Sequence, residues 1–393
     1  MKIFFYVLIS AIFLLILLLS KEYKLNKIIT LICSILIIKI AYNPALSIIG
    51  TLNGAKLFFN SVFASLFPFL IITNMLMYYD GINIYSKLLG SILCTPFNLP
   101  KQCSFPIIIS ALCGYPLGAK FSCDLYEEGL IDEKTFYRLV AIASNGSPLF
   151  IIGTVGIAML KNYTFGCILL ISNYLSCIAI AILSRKNFNQ NYKVKKPLIK
   201  KDSSQNFGIA LKKSVENSLY TVLSIGGFIT LFSVIITLLQ NDELFNYIIY
   251  TFSSLLGISN KILNGIILGL LEMTNGCNIV SSCTMHAPLK LIVLSFFISF
   301  SGFSIISQVY SFLYKFNFPM KKYIKSKIIQ GFFSSMFTLI IYKIMYINKS
   351  ISTFKYDGFN NIHEFNSAVF ILCFIILIIP KLINSLKNLF NIS

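Results

Sequence analysis

The chain has 393 residues, of which 56% are hydrophobic and 12% are charged, and its formal net charge is +19. A soluble domain cannot bury so large a share of apolar residues, so the composition excludes a soluble domain and predicts a polytopic membrane protein. The cations lie in short segments between apolar runs, as in cytoplasmic loops of membrane proteins, and this distribution argues against a nucleic-acid partner.

Apolar runs of about 20 residues predict helices that cross the bilayer. The first run, 3–20, has no small-residue cleavage motif and is followed directly by a charged segment, so we interpret it as a retained helix and not as a signal peptide. Helices are predicted near 3–20, 28–42, 57–79, 139–160, 164–184, 219–240, 290–314, 328–347 and 366–384. The regions 80–135 and 245–289 hold apolar segments that are too short or too interrupted to span, so each is expected to start and end on one side.

The charges of the connecting segments predict the orientation. The most basic segments are 21–27, 185–201 and 315–327. The segments poorest in cations are 42–55, 241–246 and 350–365. Placing the basic group in the cytoplasm gives a consistent alternation, with the N-terminus outside and the C-terminus cytoplasmic.

Three sequence landmarks recur at a nearly constant spacing, which indicates an internal repeat. Asn60-Ser61 matches Asn217-Ser218 at an offset of 157, and ALCGYPLGAK (111–120) matches GLLEMTNGCN (269–278) at 158. Gly146 in IASNGSPLFIIG (142–153) matches Gly302 in FISFSGFSIISQ (297–308) at 156. By the predicted orientation the first copy begins outside and the second begins inside. The repeat is therefore predicted to be inverted, as in many secondary transporters.

The predicted fold is an all-α polytopic membrane protein, an inverted repeat with broken or re-entrant helices. Its parts are two N-terminal transmembrane helices (1–55), a first repeat (56–184), a basic cytoplasmic linker (185–213), a second, inverted repeat (214–347), and a C-terminal transmembrane helix with its tail (348–393).

Polar, glycine-bearing interruptions fall at matched positions of the two copies. A helix that breaks within the bilayer leaves backbone groups unpaired, which is tolerated only where they line a cavity or bind a substrate. The alternative is that the small residues only allow close helix packing. We predict a substrate site at these breaks. Its candidate residues are Gly114, Tyr115, Pro116, Gly118, Asn145, Gly146, Ser147, Glu272, Thr274, Asn275, Gly276, Ser301 and Ser304.

Glu272 is the sharpest candidate, because a carboxylate near the bilayer centre costs about 2.5–3.5 kcal/mol on insertion scales. It is interpreted either as the carrier of a coupling proton or as the ion-pair partner of Lys120. Lys120 is also a candidate countercharge for an anionic substrate, or else the start of the cytoplasmic loop that follows it. The sequence leaves these alternatives open.

Three stretches, in order and within the repeat, resemble a known family. They are CGYPLGAK (113–120), ASNGSPLFIIGTVG (143–156) and LLEMTNGCNIV (270–280). The resemblance is to the sporulation integral membrane proteins of endospore-forming Firmicutes, a dipicolinic acid transporter-like family with two nucleoside-recognition (Gate) domains, and it covers about residues 40–345. It implies a fold distantly like the core of concentrative nucleoside transporters. It also implies export of dipicolinate from the mother cell across the outer forespore membrane.

Dipicolinate is a flat aromatic ring with two carboxylates, so its site needs hydrogen-bond donors and a stacking surface. Asn145, Ser147, Thr274 and Asn275 are candidate donors, and Tyr115 and Phe303 are candidate stacking rings. A nucleoside fits a neutral polar site equally well. The alternatives are therefore a nucleoside or other small-solute permease, and a non-transporting membrane scaffold for spore assembly.

The ten cysteines and two histidines show no ligand spacing, so no metal and no cofactor is expected. No catalytic motif is present, and we do not expect an enzyme. The expected partners are a small-molecule substrate, dipicolinate or nucleoside-like, and membrane lipid, with homo-oligomers left open. The expected location is the cell membrane or the outer forespore membrane.

Overall fold

The computed structural model describes residues 24–185 and 206–347. These ranges are helical and contain no strand. The α-helices are α1 (Lys24–Tyr42), α2 (Pro44–Leu57), α3 (Ala64–Tyr78), α4 (Gly81–Leu88), α5 (Gly90–Cys94), α6 (Ser104–Cys113), α7 (Leu117–Glu127), α8 (Glu133–Ile142), α9 (Tyr163–Leu183), α10 (Phe207–Gln240), α11 (Glu243–Leu256), α12 (Asn260–Leu271), α13 (Met273–Ser281), α14 (Ala287–Phe300), α15 (Gly302–Leu313) and α16 (Met320–Ile347). Two π-helices, Phe58–Phe63 and Leu149–Met159, complete the main elements. The predicted helices 3–20 and 366–384 lie outside the described residues.

Four helical segments of the described chain are long and apolar enough to cross a bilayer: Tyr163–Leu183, Phe207–Gln240, Ala287–Leu313 and Met320–Tyr346. Two sharply bent helix pairs raise the number to six if each pair is one span. They are Ile29–Tyr42 with Pro44–Asn60, at 105°, and Glu243–Leu256 with Asn260–Leu271, at 117°. The prediction of an all-α, multi-pass membrane protein is confirmed.

The prediction that 42–55 is a connecting segment is wrong, because this segment forms α2. Its glycines place α2 directly on α10. A Cβ atom added at Gly54 would lie 2.8 Å from the Cα of Thr230, and one added at Gly50 would lie 2.9 Å from the Cα of Val234. The Ser233 hydroxyl also donates to the Gly50 carbonyl at 2.8 Å. Small, uncharged residues at four-residue spacing are typical of such close membrane-helix contacts.

Two further boundaries differ from the prediction. The segment 139–160 is not one helix, since α8 ends at Ile142 and the π-helix begins only at Leu149. Pro148 disfavours helical backbone at Ser147, the residue before it, and the gap contains the candidate residues Asn145, Gly146 and Ser147, where the sequence predicts an interruption. The basic segment 315–327 is not wholly a loop, since α16 begins at Met320. Lys327 therefore lies inside a helix that packs against α9 and α14.

We expect Gly54→Ala to lower the stability of the protein by about 1–3 kcal/mol, because the added methyl group has no room against α10. The measurement is thermal unfolding of the purified protein in detergent. The matched control is Gly227→Ala on α10, where a Cβ atom would meet nothing within 4 Å. That variant should unfold at the wild-type temperature or slightly above it. Equal unfolding temperatures for the two variants would contradict the close contact between α2 and α10.

Candidate functional site

The breaks of the first copy lie against each other. The first break separates α6 from α7 at Gly114, whose φ angle is 86°. A Cβ atom at this glycine would lie 2.8 Å from the backbone nitrogen of Ser147, in the break after α8. The Tyr115 N–H donates to the Asn145 carbonyl at 2.7 Å, and the Asn145 N–H donates to the Ser110 hydroxyl at 3.2 Å. Backbone groups that the breaks release are thus paired within the protein, in one case across the two breaks.

The second copy has the same arrangement. Its first break falls at Glu272, between α12 and α13, where the backbone is extended. Its second break falls between α14 and α15, where Ser301 and Gly302 have φ angles of 76° and 74°. A Cβ atom at Gly302 would lie 3.1 Å from the backbone nitrogen of Met273. Both interruptions that the sequence predicts within CGYPLGAK (113–120) and LLEMTNGCNIV (270–280) are therefore present.

The two pairs of breaks meet. The Tyr115 hydroxyl donates to the sulfur of Met273 at 2.7 Å. These residues are equivalent in the predicted repeat, since they are separated by the offset of 158 that relates 111–120 to 269–278. A Cβ atom at Gly146 would also lie 3.3 Å from Cγ2 of Ile298. Contact between equivalent residues is expected beside a two-fold axis, so this geometry supports the repeat.

Two amide side chains connect each copy to the other. Asn173 of α9 donates through Nδ2 to the Ser299 hydroxyl at 2.8 Å. Gln330 of α16 donates through Nε2 to Oδ1 of Asn145 at 3.0 Å. Asn173 and Gln330 are 157 residues apart, the offset that also relates Asn60 to Asn217. The last long helix of each copy therefore contacts the second break of the other copy, which also supports the repeat.

Glu272 serves as the N-cap of α13. Its side chain is nearly buried, with the whole residue 7% exposed. Oε1 accepts from the Thr274 N–H at 2.9 Å, and Oε2 accepts from the Asn275 N–H at 2.7 Å and from Asn275 Nδ2 at 2.9 Å. A carboxylate at this position satisfies otherwise unpaired N–H groups and interacts favourably with the helix dipole. The donors predicted at Thr274 and Asn275 are thus bonded to Glu272.

Lys120 does not pair with Glu272 in this structure. Its ammonium lies 3.2 Å from the carboxylate of Asp124, one turn further along α7. The charge of Lys120 is therefore offset within its own helix. Glu272 instead has the capping role that neither sequence-based interpretation included.

The other predicted residues fall into a packing group and a polar group. A Cβ atom at Gly118 would lie 2.1 Å from the Ala143 carbonyl oxygen, and one at Gly276 would lie 2.1 Å from the Cα of Gly269. Pro116 immediately precedes α7. The Ser147 hydroxyl accepts from the Phe150 N–H at 3.3 Å. Ser301 and Ser304 are buried, and the Ser301 hydroxyl has no hydrogen-bond partner among the described residues.

Of the two predicted stacking rings, only Tyr115 lies where the breaks meet, because its hydroxyl contacts Met273. Phe303 is 43% exposed, and its ring packs edge-on against Phe300. The substrate roles of all these residues stay predictions.

Lys327 is not among the residues predicted from the sequence, and it is fully buried beside the second break of the first copy. Its ammonium donates to the Ser144 carbonyl and to Oε1 of Gln330, both at 2.7 Å. The Ser144 hydroxyl shares a 2.8 Å hydrogen bond with the Tyr323 hydroxyl. Within the described part of the chain, no carboxylate forms an ion pair with Lys327.

A periodic signal could have identified Lys327. Gln330, Ser334 and Thr338 follow it at three, seven and eleven residues, a spacing that places all four on one face of a helix. The surrounding run is apolar, so a polar face there indicates an interior surface. Because other cations lie nearby, Lys327 was instead assigned to the predicted basic segment 315–327.

Comparisons with known proteins agree with a multi-pass membrane protein. The chain is 26% identical over 324 residues to the sporulation integral membrane protein YlbJ of Bacillus subtilis (strain 168), a match that covers 77% of this chain and 79% of that protein. No family model matches the chain, and no solved structure gives a significant match. The Gate-domain resemblance therefore stays a prediction.

We expect Glu272→Gln to destabilise the protein by about 1–2 kcal/mol, because the amide cannot accept all three hydrogen bonds that cap α13. Thermal unfolding in detergent measures this change. The matched control is Glu216→Gln, which removes an exposed ion pair with Lys212 at 3.8 Å and should change stability by less than about 0.5 kcal/mol. Unfolding of Glu272→Gln at the control's temperature would show that the cap contributes nothing.

Proposed function

We propose that this protein is a transporter that moves a small aromatic anion, dipicolinate, across the outer forespore membrane during sporulation. The sporulation context is supported by the likeness to a sporulation integral membrane protein. The choice of dipicolinate rests on the family resemblance of the CGYPLGAK, ASNGSPLFIIGTVG and LLEMTNGCNIV stretches.

The observation that carries the proposal is the meeting of the breaks around Tyr115 and Met273. Backbone that leaves the helix inside a membrane protein has to be buried in protein or line a polar cavity. Secondary transporters use this arrangement, with the substrate held where two repeats meet near the bilayer midplane. A scaffold for spore assembly would need no interrupted helices at matched positions of two copies.

The chemistry around the breaks suits a small planar solute. Tyr115 contributes an aromatic ring at the contact between the copies. Asn145 and Gln330 contribute amides, and Ser301 contributes a hydroxyl with no partner among the described residues. The same amides could hydrogen-bond a nucleobase, so a nucleoside permease is the second candidate. We propose no catalytic role.

We predict that deletion of the gene in its spore-forming host leaves dipicolinate synthesis intact while spores lack dipicolinate. The assay measures dipicolinate in mother cells and in purified spores, with the wild-type gene restored as the control. Normal spore dipicolinate in the deletion strain would refute the proposed function. Uptake of a nucleoside, but not of dipicolinate, by proteoliposomes containing the purified protein would favour the second candidate.

A further inference from the structure

Lys327 has no role in the function proposed from the helix breaks. We infer that Lys327 binds a carboxylate of the transported anion, an inference that rests on the proposed function. The polar face of α16 that begins at Lys327 then lines the path of that anion. This face comprises Lys327, Gln330, Ser334 and Thr338.

Lys327 is a buried cation whose partners are neutral. An ammonium group removed from water is costly unless an anion compensates it, and intramembrane charges are therefore commonly functional. Its two hydrogen bonds go to the Ser144 carbonyl and to the Gln330 amide oxygen. An ammonium has three N–H donors, so one donor has no acceptor among the described residues. A substrate carboxylate would supply both the missing acceptor and the missing negative charge.

The predicted repeat gives a position in the first copy with which Lys327 can be compared. The offset of 157 that relates Gln330 to Asn173 relates Lys327 to Leu170. Leu170 is also buried, on α9. An apolar residue thus fills the equivalent position in the first copy, and the cation is specific to the second.

The polar face of α16 continues past Lys327 for eleven residues, about 16 Å of helix. The hydroxyls of Ser334 and Thr338 are buried without a hydrogen-bond partner among the described residues, as are Ser172 Oγ and Asn173 Oδ1 on α9. The two helices run antiparallel. Phe165 of α9 packs against Tyr342 of α16 at one end, and at the other end Cys177 of α9 and Gln330 of α16 both hydrogen-bond the Asn145 side chain.

All four unpaired groups lie between those two contacts along their helices. Buried polar groups in native proteins are nearly always paired. A row of unpaired groups along one helix pair, beginning beside a lone cation, therefore indicates a surface whose partners arrive from outside the chain. A polar anion and its accompanying water supply such partners.

The ammonium group of Lys327 has an alternative role that is purely structural, namely capping the end of α8. The Ser144 carbonyl lies just beyond the end of α8, where a positive charge interacts favourably with the helix dipole. If capping were its whole role, removing the charge would affect folding and would change the binding of charged and neutral ligands equally. Selectivity for charge separates the two roles.

The test compares dipicolinate with pyridine-2,6-dicarboxamide, a neutral molecule of similar shape, in binding to the purified full-length protein. Lys327→Gln keeps hydrogen-bond donors and removes the charge. We expect it to weaken dipicolinate binding about 30-fold or more while dicarboxamide binding stays unchanged. Lys327→Arg, which keeps the charge, should retain most of the dipicolinate affinity. The control is Lys290→Gln, since Lys290 likewise donates to a helix-end carbonyl, that of Ser281, at 2.9 Å.

Unchanged dipicolinate affinity in Lys327→Gln, or an equal loss for both ligands, would overturn the inference while leaving the transporter proposal in place. Failure of the wild-type protein to bind dipicolinate would instead refute the proposed function. If Lys327→Gln does not fold, Lys327→Arg decides: loss of dipicolinate selectivity in a folded, charge-retaining variant counts against the inference.

A second variant tests the path without touching the charge. Thr338→Val keeps the shape of the side chain and removes a buried hydroxyl that has no partner within the described chain. We expect an unfolding temperature equal to or above that of the wild type, together with dipicolinate transport slowed about fivefold, the equivalent of one hydrogen bond. A lower unfolding temperature with unchanged transport would show that the hydroxyl is structural.

Discussion

Backbone groups released by a helix break inside a membrane need hydrogen-bond partners within the protein, and this requirement organises the structure. In the first copy the Tyr115 N–H finds the Asn145 carbonyl. In the second copy Glu272 caps the new helix start with both of its oxygens. The two breaks of the first copy therefore lie against each other, and the contact of Tyr115 with Met273 joins the first copy to the second.

The symmetry is incomplete, and the differences concern charge. Carboxylate capping occurs at Glu272, whereas the equivalent position, Gly114, has no side chain. A cation lies at Lys327, whereas the equivalent Leu170 is apolar. The matched backbone geometry explains how the breaks of the two copies come together, and the unmatched charges suit the kind of solute that we propose.

The breaks were predictable from sequence because at each of them glycine occurs together with proline, asparagine or serine inside an apolar run, and such clusters disfavour regular helix. The bounds of α9 were predictable because its sequence is apolar along most of its length. By contrast, the sequence of α2 resembles that of an uncharged loop, and only the packing of its glycines against α10 shows why it is helical. The burial of Lys327 depends on α9 and α14 packing over its face of α16, and neighbouring basic residues hide that fact in the sequence. The capping role of Glu272 could not be predicted from the sequence either, because it depends on the extended backbone between α12 and α13.

The two copies meet at their breaks, and a disulfide across that contact tests the arrangement. The pair is Gly146→Cys with Ile298→Cys, in a background without native cysteines. A Cβ atom at position 146 would lie 3.3 Å from Cγ2 of Ile298, and the Cβ atoms of a disulfide are roughly 3.8 Å apart. A protease site inserted within residues 186–205 allows the chain to be cut into two fragments. If the copies meet as described, the oxidised fragments stay joined in membranes until the disulfide is reduced. Fragments that separate as readily as those of the control pair Gly146→Cys with Gly227→Cys would contradict it.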